Sequence, residues 1–334
     1  MILLNIPIEP LPERYSMQWD KWFQKEFGEA NLNVCNVYGE NTSGKIGNGS
    51  FLDVTETNLY KTSQLREIIL FIANCDKNEK IVLFFHDIWN PAIPTIAYIR
   101  DGLGLKNLKI CGCLHAGSYD EYDFLNKQGM TPWACYLEQS IGAIVDKIFV
   151  ATRFHKNMFC TRRNIDKNKV VVTGFPIYDD FIKDMPETEK KQIIVFPHRL
   201  DSEKRPDLFD VLSKDPLFAD YTFIKSKEKA KSKRAYYRLL QQSYIAVSFA
   251  EQETWGIAMQ EAVICGCIPI CPQRLSYKEM YSQAFLYNSM AECKHLIETY
   301  IKKFPLAPLH VQRSTILQDG KHAIPLIIKE ILAL

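Results

Sequence analysis

Short apolar runs alternate with longer amphipathic stretches through all 334 residues, which leaves few folds open to this chain. The runs are four to seven residues long and almost continuously apolar, as in strands that are covered on both faces of a sheet. The amphipathic stretches between them have helical spacing. Strands that alternate with helices indicate parallel sheets. Six strands are expected in the first half of the chain and five in the second: 2–5, 33–37, 80–85, 108–114, 147–151, 169–173, 193–196, 222–225, 244–249, 268–271 and 284–287.

A charged stretch, KDMPETEKKQ at residues 183–192, interrupts this pattern and predicts a linker between two domains. We therefore expect an N-terminal Rossmann-like domain at 1–182 and a C-terminal one at 193–310. The apolar segment 311–334 is expected to form a helix that could cross back to the first domain. In open α/β sheets, ligands bind at the carboxyl ends of the strands. Two such domains are expected to face each other across a cleft.

Charge and cysteine content exclude several classes of protein. Lysine and arginine number 41 and aspartate and glutamate 39, so the net charge is only +2 and nucleic acid would have to bind through a local patch. No apolar run is long enough to span a bilayer, and Met1–Pro12 has no basic residues of the kind found in signal peptides. Most of the ten cysteines lie in apolar runs, as expected for reduced, buried side chains in the cytoplasm. Among them are Cys35, Cys75, Cys111, Cys113, Cys265, Cys267 and Cys271.

The stretch from Ser248 to Tyr277 contains the strongest candidate site. Glu253 and Glu261 are separated by seven residues, with Gly256 and Ile257 at the expected start of a helix. Amides at a helix N-terminus bind phosphate, and glycine allows close approach of a ligand to the backbone. Carboxylates accept hydrogen bonds from sugar hydroxyls. The arrangement is suited to a nucleotide-sugar, although two isolated glutamates at this spacing would more often be surface acids.

A second motif, FPHRLDSEKRP at residues 196–206, follows another expected strand. Arg199 and Lys204 are five positions apart across a strand-to-helix turn, so together they could hold a diphosphate and stabilise it as it leaves. His86 and His115 each end a strand of the first domain and are expected to point into the cleft. For His115, a structural role in the core is about as common as a catalytic one.

These motifs together resemble the retaining glycosyltransferases of the glycogen-synthase-like superfamily, which have the GT-B fold. The resemblance implies that Glu253 contacts the donor sugar and that Glu261 holds the ribose. It implies that Arg199 and Lys204 bind the diphosphate together with the amides near Gly256 and Ile257. It places His115 beside the anomeric carbon. The implied donor is a UDP- or GDP-sugar, and no cofactor is essential.

Two stretches, one in each half of the chain, show finer likenesses. CGCIPICPQRLSYKE resembles enzymes that mannosylate queuosine in transfer RNA, and NIPIEPLPERYSMQW resembles bacteriophage enzymes that glycosylate hydroxymethylated pyrimidines in DNA. Where many superfamily members have a glycine-rich loop after the first strand, this chain has prolines between Ile6 and Glu13. The acceptor is thus expected to be a modified pyrimidine such as hydroxymethylcytosine in DNA, with a queuosine-like base in tRNA, a polysaccharide or a lipid as alternatives. The acceptor-side candidates are Glu9, Tyr15, Trp89 and Tyr119.

Other clusters have simpler explanations. The cysteines around Cys267 do not have the spacing of a zinc site. The acids Asp120, Glu121 and Asp123 could bind a metal that holds the diphosphate, but they are not needed if Arg199 and Lys204 hold it. No metal is therefore predicted. The basic run at 225–238 is typical of a solvated helix face, although its tyrosines would also suit contact with a nucleic acid or with an anionic membrane surface. The sequence does not predict the oligomeric state.

Overall fold

A computed structural model of the chain describes residues 1–12, 14–40, 53–304 and 310–334. Glu13, at the end of the proline-containing loop, lies outside these residues. The chain divides into two compact units, one formed by Met1–Gly174 with Ala323–Leu334 and the other by Phe175–His322. Each unit is built around a parallel sheet, and this confirms the predicted α/β class.

The first unit contains a six-stranded sheet in the order β2-β1-β3-β4-β5-β6, and every pairing in it is parallel. All six predicted strands are present, with ends that differ from the prediction by at most one residue. The strands are β1 (Ile2–Ile6), β2 (Val34–Asn36), β3 (Ile81–Phe85), β4 (Leu108–Cys113), β5 (Lys147–Val150) and β6 (Val170–Val172). The helices are α1 (Tyr15–Glu29), α2 (Val54–Asn74), α3 (Ala92–Gly102), α4 (Phe124–Lys127), α5 (Thr131–Ile144) and α6 (Arg153–Arg163).

The second unit contains a five-stranded sheet in the order β11-β10-β9-β7-β8, and it is also parallel throughout. Its strands are β7 (Lys191–Phe196), β8 (Thr222–Lys225), β9 (Ser243–Val247), β10 (Ile268–Pro272) and β11 (Leu286–Tyr287). The helices of this half are α7 (Asp180–Lys183), α8 (Pro206–Leu212), α9 (Ser226–Lys229), α10 (Lys233–Gln242), α11 (Ile257–Ile264), α12 (Tyr277–Met280), α13 (Met290–Ile301) and α14 (His310–Leu332).

Central strands are buried on both faces, which explains their continuous apolar sequences. All five residues of β3 and all five of β9 are buried. Burial of apolar surface contributes about 25 cal/mol per Å², so such strands stabilise each unit strongly. The order of the strands also places the loops after β7 and β9 side by side, because these two strands are neighbours in the sheet.

The segment around the predicted linker is packed into the second unit. Ile177 belongs to a buried cluster of that unit, and Phe181, Ile182 and Met185 pack against it. The division between units accordingly falls after Gly174, before the charged stretch 183–192, and β7 already begins at Lys191. These apolar side chains are more important for the placement of the segment than its charges.

The helix α14 belongs to both units in turn. Its last residues are grouped with the first unit, where Ala323, Ile327 and Ile331 are fully buried. There the Lys147 ammonium lies 3.4 Å from the Glu330 carboxylate. In the described residues, no helix is both long enough and apolar enough to cross a membrane.

All ten cysteines are free thiols. Of those expected to be buried, Cys111, Cys113, Cys265, Cys267 and Cys271 are buried, and Cys35 and Cys75 are only half-buried. Burial raises the pKa of the Cys265 and Cys271 thiols. These thiols are therefore protonated at neutral pH and pack as small apolar groups.

Candidate functional site

Lys204 is placed by a tight turn between β7 and α8. Residues Ser202–Lys204 form one turn of 3-10 helix, and the Lys204 amide donates to the Asp201 carbonyl. Arg205 then adopts a left-handed conformation with φ of 55°, and Pro206 begins α8. Proline suits the first helical position because its missing amide proton is not needed there. The Arg205 guanidinium bonds both Asp207 and Glu251, which supports the strained turn.

The Lys204 ammonium reaches across to the loop that follows β9. It donates to the Gln252 carbonyl, to the Gln252 side chain at 3.2 Å and to Glu253 Oε2 at 3.3 Å. The Lys204 side chain is 7% exposed. A second link joins the same loops, because the Glu251 amide donates to the Glu203 carbonyl at 2.7 Å. Two sequence motifs that were identified separately thus form one site.

Glu253 also closes the turn that leads into α11. Its Oε1 accepts hydrogen bonds from the amides of Thr254, Trp255 and Gly256, the last at 2.7 Å. Burial would raise the pKa of Glu253, but attraction to Lys204 and the amide hydrogen bonds outweigh burial and lower it to about 2. Glu253 is consequently ionised at any physiological pH, as a hydrogen-bond acceptor for hydroxyls should be.

The helix α11 begins at Ile257, as the sequence predicted. Gly256 precedes it with φ of 62°, a left-handed conformation that glycine adopts at little cost. The Gly256 amide is used by Glu253, so its expected role as a phosphate donor requires that this hydrogen bond be exchanged. The amides of Ile257 and Ala258 have no acceptor in the part of the chain that the structure describes. They are the first amides of a helix, where the helix dipole also favours an anion.

Arg199 lies in the same loop as Lys204 but contacts other groups. Its guanidinium lies 2.8 Å from the Asp201 carboxylate and 2.5 Å from the Glu203 carboxylate, and its side chain is 34% exposed. The structure brings Lys204 to Glu253, whereas Arg199 is held by acids of its own loop. An anion that binds Arg199 would compete with these two carboxylates.

Glu261 lies within α11 and is almost fully buried. Its Oε1 accepts hydrogen bonds from Lys233 Nζ and Tyr237 Oη, both at 2.8 Å and both from α10. Lys233 also lies 5.0 Å from the centre of the Tyr237 ring. These contacts were not predicted, because Lys233 falls in the basic run that was interpreted as a solvated face. Lys225 of the same run pairs with Asp210.

His198 contacts Ser248, the first residue after β9. It is buried, and its Nε2 lies 2.9 Å from Ser248 Oγ, which in turn lies 2.8 Å from Tyr277 Oη. Burial and, after it, the charge of Lys204 lower the pKa of His198 to about 3. The ring is therefore neutral at physiological pH and contributes packing and hydrogen bonds without a charge of its own.

The first unit holds His115 at the end of β4. Its Nε2 lies 2.7 Å from the His86 carbonyl, which fixes the proton on Nε2, and Tyr15 Oη lies 3.3 Å from Nδ1. Burial lowers the pKa of His115. His86 itself is 1% exposed and bonds the Asn5 side chain at 2.8 Å. The expectation that the His86 ring points into a cleft is wrong, because it is a core residue.

The acceptor-side candidates lie in different environments. Glu9 is buried, and its Oε2 accepts from the Thr57 hydroxyl at 2.9 Å. Tyr119 is buried with its hydroxyl 2.6 Å from His155, so a stacking role does not fit its position. Tyr15 is half-buried beside His115. Trp89, which follows β3, is half-buried like Tyr15, and its indole nitrogen donates to Glu138.

The acidic loop after β4 stabilises turns. Asp120 accepts a hydrogen bond from the Tyr122 amide at 3.0 Å, and Asp123 accepts one from the Leu125 amide at 2.9 Å. Across residues 1–12, 14–40, 53–304 and 310–334, no three side chains of His, Cys, Asp or Glu are grouped as ligands for a metal ion.

No family model matches the chain. Among curated proteins, it is 29% identical over a 143-residue alignment to the tRNA-queuosine alpha-mannosyltransferase of Drosophila melanogaster. That alignment covers 34% of this chain and 38% of the mannosyltransferase, so the match spans well under half the length of the mannosyltransferase.

Solved structures match over 81–100% of the chain. HepE from Anabaena, in complex with UDP and glucose, superposes with a TM-score of 0.62 at 11% identity, over 100% of this chain and 99% of HepE. The lipopolysaccharide outer core galactosyltransferase WaaB gives a TM-score of 0.63 at 12% identity, over 99% of each chain. TarM from S. aureus gives a TM-score of 0.54 at 13% identity, over 81% of this chain and 58% of TarM. The chain therefore has the GT-B fold that the sequence motifs predicted.

Proposed function

We propose that this chain is a retaining glycosyltransferase that moves a sugar from a nucleotide-sugar to a hydroxyl group on a modified base in nucleic acid. The observation that carries the proposal is the contact of Lys204 with Glu253, directly before the first amides of α11. A cation from the loop after β7 and an ionised carboxylate from the loop after β9 then lie in contact, beside a helix N-terminus. These are the groups that a sugar diphosphate requires.

The donor roles follow from the chemistry of each group. Lys204, Arg199 and the amides of Ile257 and Ala258 bind the diphosphate and stabilise the charge that develops on it. Glu253 accepts hydrogen bonds from the sugar, and Glu261 from the ribose. Lys233 balances the charge of Glu261, so that this carboxylate does not repel the diphosphate nearby.

The reaction needs no protein nucleophile. The bond between the anomeric carbon and the diphosphate oxygen breaks, and the acceptor oxygen bonds to the same face of that carbon. The acceptor proton passes to the departing diphosphate. The protein positions the two substrates and stabilises charge. His115 is the residue of the first unit that we place beside the anomeric carbon. Because cationic side chains supply the positive charge, no metal is essential.

The first choice of acceptor is the hydroxymethyl group of a modified pyrimidine in DNA. The support for it is the resemblance of the opening residues, NIPIEPLPERYSMQW, to bacteriophage enzymes with that activity. The second choice is a queuosine-like base in tRNA, which the match to the Drosophila melanogaster enzyme favours. A polysaccharide or lipid acceptor is the alternative from another substrate class.

A transfer assay tests this proposal. Purified protein is incubated with radiolabelled UDP- and GDP-sugars and with hydroxymethylated DNA, tRNA, glycans and lipid vesicles in parallel. Label on hydroxymethylated DNA that is absent from unmodified DNA supports the first choice, and label on tRNA alone supports the second. Label on a glycan or lipid alone would refute a nucleic-acid acceptor and leave the donor assignment in place. Failure to use any donor would refute the proposed activity itself.

A further inference from the structure

Three aromatic side chains lie together at the carboxyl edge of the first sheet, and we call Trp89, Trp133 and Tyr136 the aromatic surface. Trp89 follows β3, and Trp133 lies in the first turn of α5, which follows the loop after β4. The two indole rings are 6.0 Å apart between centres, at 63°. Tyr136 is three residues farther along α5, a spacing that puts it beside Trp133. Trp133 is 52% exposed and Tyr136 71% exposed, so both rings are open to a ligand.

Trp89 makes three hydrogen bonds, two through its backbone and one through its indole ring. Asp87 accepts from its amide at 3.0 Å, Lys61 Nζ donates to its carbonyl at 3.0 Å, and its indole nitrogen donates to Glu138 Oε1 at 3.1 Å. Because these hydrogen bonds restrict Trp89 before binding, less of its conformational entropy is lost when a ligand binds. Trp89 therefore forms a rigid base against which Trp133 packs.

The exposed face of α5 carries no net charge. The charged residue of this helix is Glu138, which is 1% exposed and lies 2.5 Å from the Arg163 guanidinium. Ser118 also donates to Glu138, from its amide at 2.6 Å and from its hydroxyl at 3.0 Å. This buried network balances the charge of the Glu138 carboxylate. The outer face of α5 therefore presents the rings of Trp133 and Tyr136 without a charged side chain of its own.

Exposed basic side chains lie on the last turn of α4 and at the start of α6, two helices that each contact α5. Lys127, which is exposed, lies 5.9 Å from the centre of the Tyr122 ring in the loop before α5. Arg153 is exposed at the start of α6, immediately after β5, the strand beside β4. Glu121 is an exposed acid in the same region and opposes their charge. Aromatic rings with adjacent cations are the combination that binds single-stranded nucleic acid, in which bases alternate with phosphates.

We infer that the aromatic surface binds a single-stranded nucleic-acid segment next to the base that receives the sugar. Bases stack on Trp133 and Tyr136, and the phosphates between them meet Lys127 and Arg153. The inference rests on the proposed function and names the surface that the acceptor occupies. A neutral glycan could also stack on these rings, but it would gain nothing from the charges of Lys127 and Arg153.

Binding without donor tests the inference directly. Labelled single-stranded DNA and RNA, and the same sequences as duplexes, are titrated with wild type, Trp133→Ala, Tyr136→Ala and Trp133→Phe, and binding is followed by fluorescence anisotropy. We expect wild type to prefer single strands, Trp133→Ala and Tyr136→Ala each to weaken binding about tenfold, and Trp133→Phe to retain most of it. Tyr98 is the matched control because it is 81% exposed on the neighbouring helix α3, so Tyr98→Ala should leave binding unchanged.

Charge variants separate a nucleic acid from a glycan. Lys127→Met should weaken binding and reduce the slope of log affinity against log salt by about 0.7, whereas Glu121→Gln should strengthen binding. The inference is overturned if single strands do not bind, if Trp133→Ala binds them as wild type does, or if a neutral oligosaccharide binds with the same loss in Trp133→Ala and no response to either charge variant.

The transfer assay then distinguishes this surface from the proposed function. Single strands that bind through Trp133 but receive no sugar from any donor would support the surface and refute the proposed transfer. Transfer to nucleic acid with an unchanged acceptor KM in Trp133→Ala would refute the surface and support the transfer.

Discussion

Lys204 Nζ lies 3.3 Å from Glu253 Oε2, although the two residues are 49 positions apart in the sequence and come from loops after different strands. Lysine donates its other hydrogen bonds to Gln252, and Glu253 accepts from three amides through its second oxygen. Both side chains are therefore oriented before a donor arrives. Such preorganisation is a major source of electrostatic catalysis.

The first prediction concerns the two cations of the proposed diphosphate site. Lys204→Ala or Arg199→Ala should reduce kcat by a factor on the order of 10²–10³, because one charge contact to the leaving group contributes about 3–4 kcal/mol. Steady-state transfer kinetics measure this loss. Lys227→Ala, which removes an exposed lysine of α9, is the control and should retain full activity. Near-normal turnover in both site variants would remove the diphosphate assignment.

The second prediction is a pH dependence of stability at Glu253. Its pKa is lowered from 4.5 to about 2 in the folded state, so its contribution is complete above pH 4.5 and is lost as the pH falls toward 2. Linkage gives a loss of about 2 kcal/mol between pH 6 and pH 3. Urea unfolding of wild type and Glu253→Gln at both pH values isolates this contribution. An identical decrease in the free energy of unfolding of both proteins would show that the pKa of Glu253 is not lowered in the folded state.

The third prediction concerns the pair Lys233 and Glu261. Lys233→Met leaves a buried carboxylate without its cation, which costs about 1.5–3 kcal/mol for a charged hydrogen bond. We expect the KM for the nucleotide-sugar to rise about tenfold or more and Lys233→Arg to restore part of it. Lys227→Met should have no effect on this KM. If Lys233→Met changes acceptor KM alone, the basic run acts on the acceptor and our assignment is wrong.

The fourth prediction concerns metals. Transfer should continue in excess EDTA, because Lys204, Arg199 and the α11 amides supply the positive charge. Initial rates with and without chelator decide the question. A complete loss that magnesium or manganese restores would contradict the account and would require an examination of Asp120 and Asp123 as ligands.

The fifth prediction concerns Lys190, which joins three segments of the second unit. Its ammonium donates to the carbonyls of Ser243, Cys265 and Leu240 at 2.7, 2.9 and 3.3 Å. Lys190→Met should lower the free energy of unfolding by about 1–3 kcal/mol, because these carbonyls lose a charged donor. Lys214→Met, at an exposed position, is the control. Equal stability of both variants by urea unfolding would contradict this role.

Strands were predictable from the sequence because buried parallel strands are continuous apolar runs, as in β3 and β9. The start of α11 was predictable for a similarly local reason, since Gly256 interrupts the apolar pattern where a left-handed residue is needed. Both features depend on residues that are neighbours in the chain.

The contacts within the site were not predictable in the same way. Lys204 contacts Glu253 because β7 and β9 are neighbours in the sheet. The order of the strands cannot be predicted from the sequence of either loop. Lys233 was placed on a solvated face because its partner Glu261 is 28 positions away. Trp133 and Tyr136 were not identified as candidates from the sequence, because their exposure depends on which face of α5 packs against the sheet.

We propose that this chain transfers sugar from a nucleotide-sugar by means of the Lys204–Glu253 site. The most direct test measures released nucleoside diphosphate and sugar bound to a hydroxymethylated oligonucleotide in the same reaction, for wild type and Lys204→Ala. We expect wild type to form the two products in equal amounts and Lys204→Ala to form neither at a comparable rate, if the Lys204–Glu253 site carries out the transfer. Equal rates in the two proteins, or sugar incorporation without release of nucleoside diphosphate, would contradict this proposal.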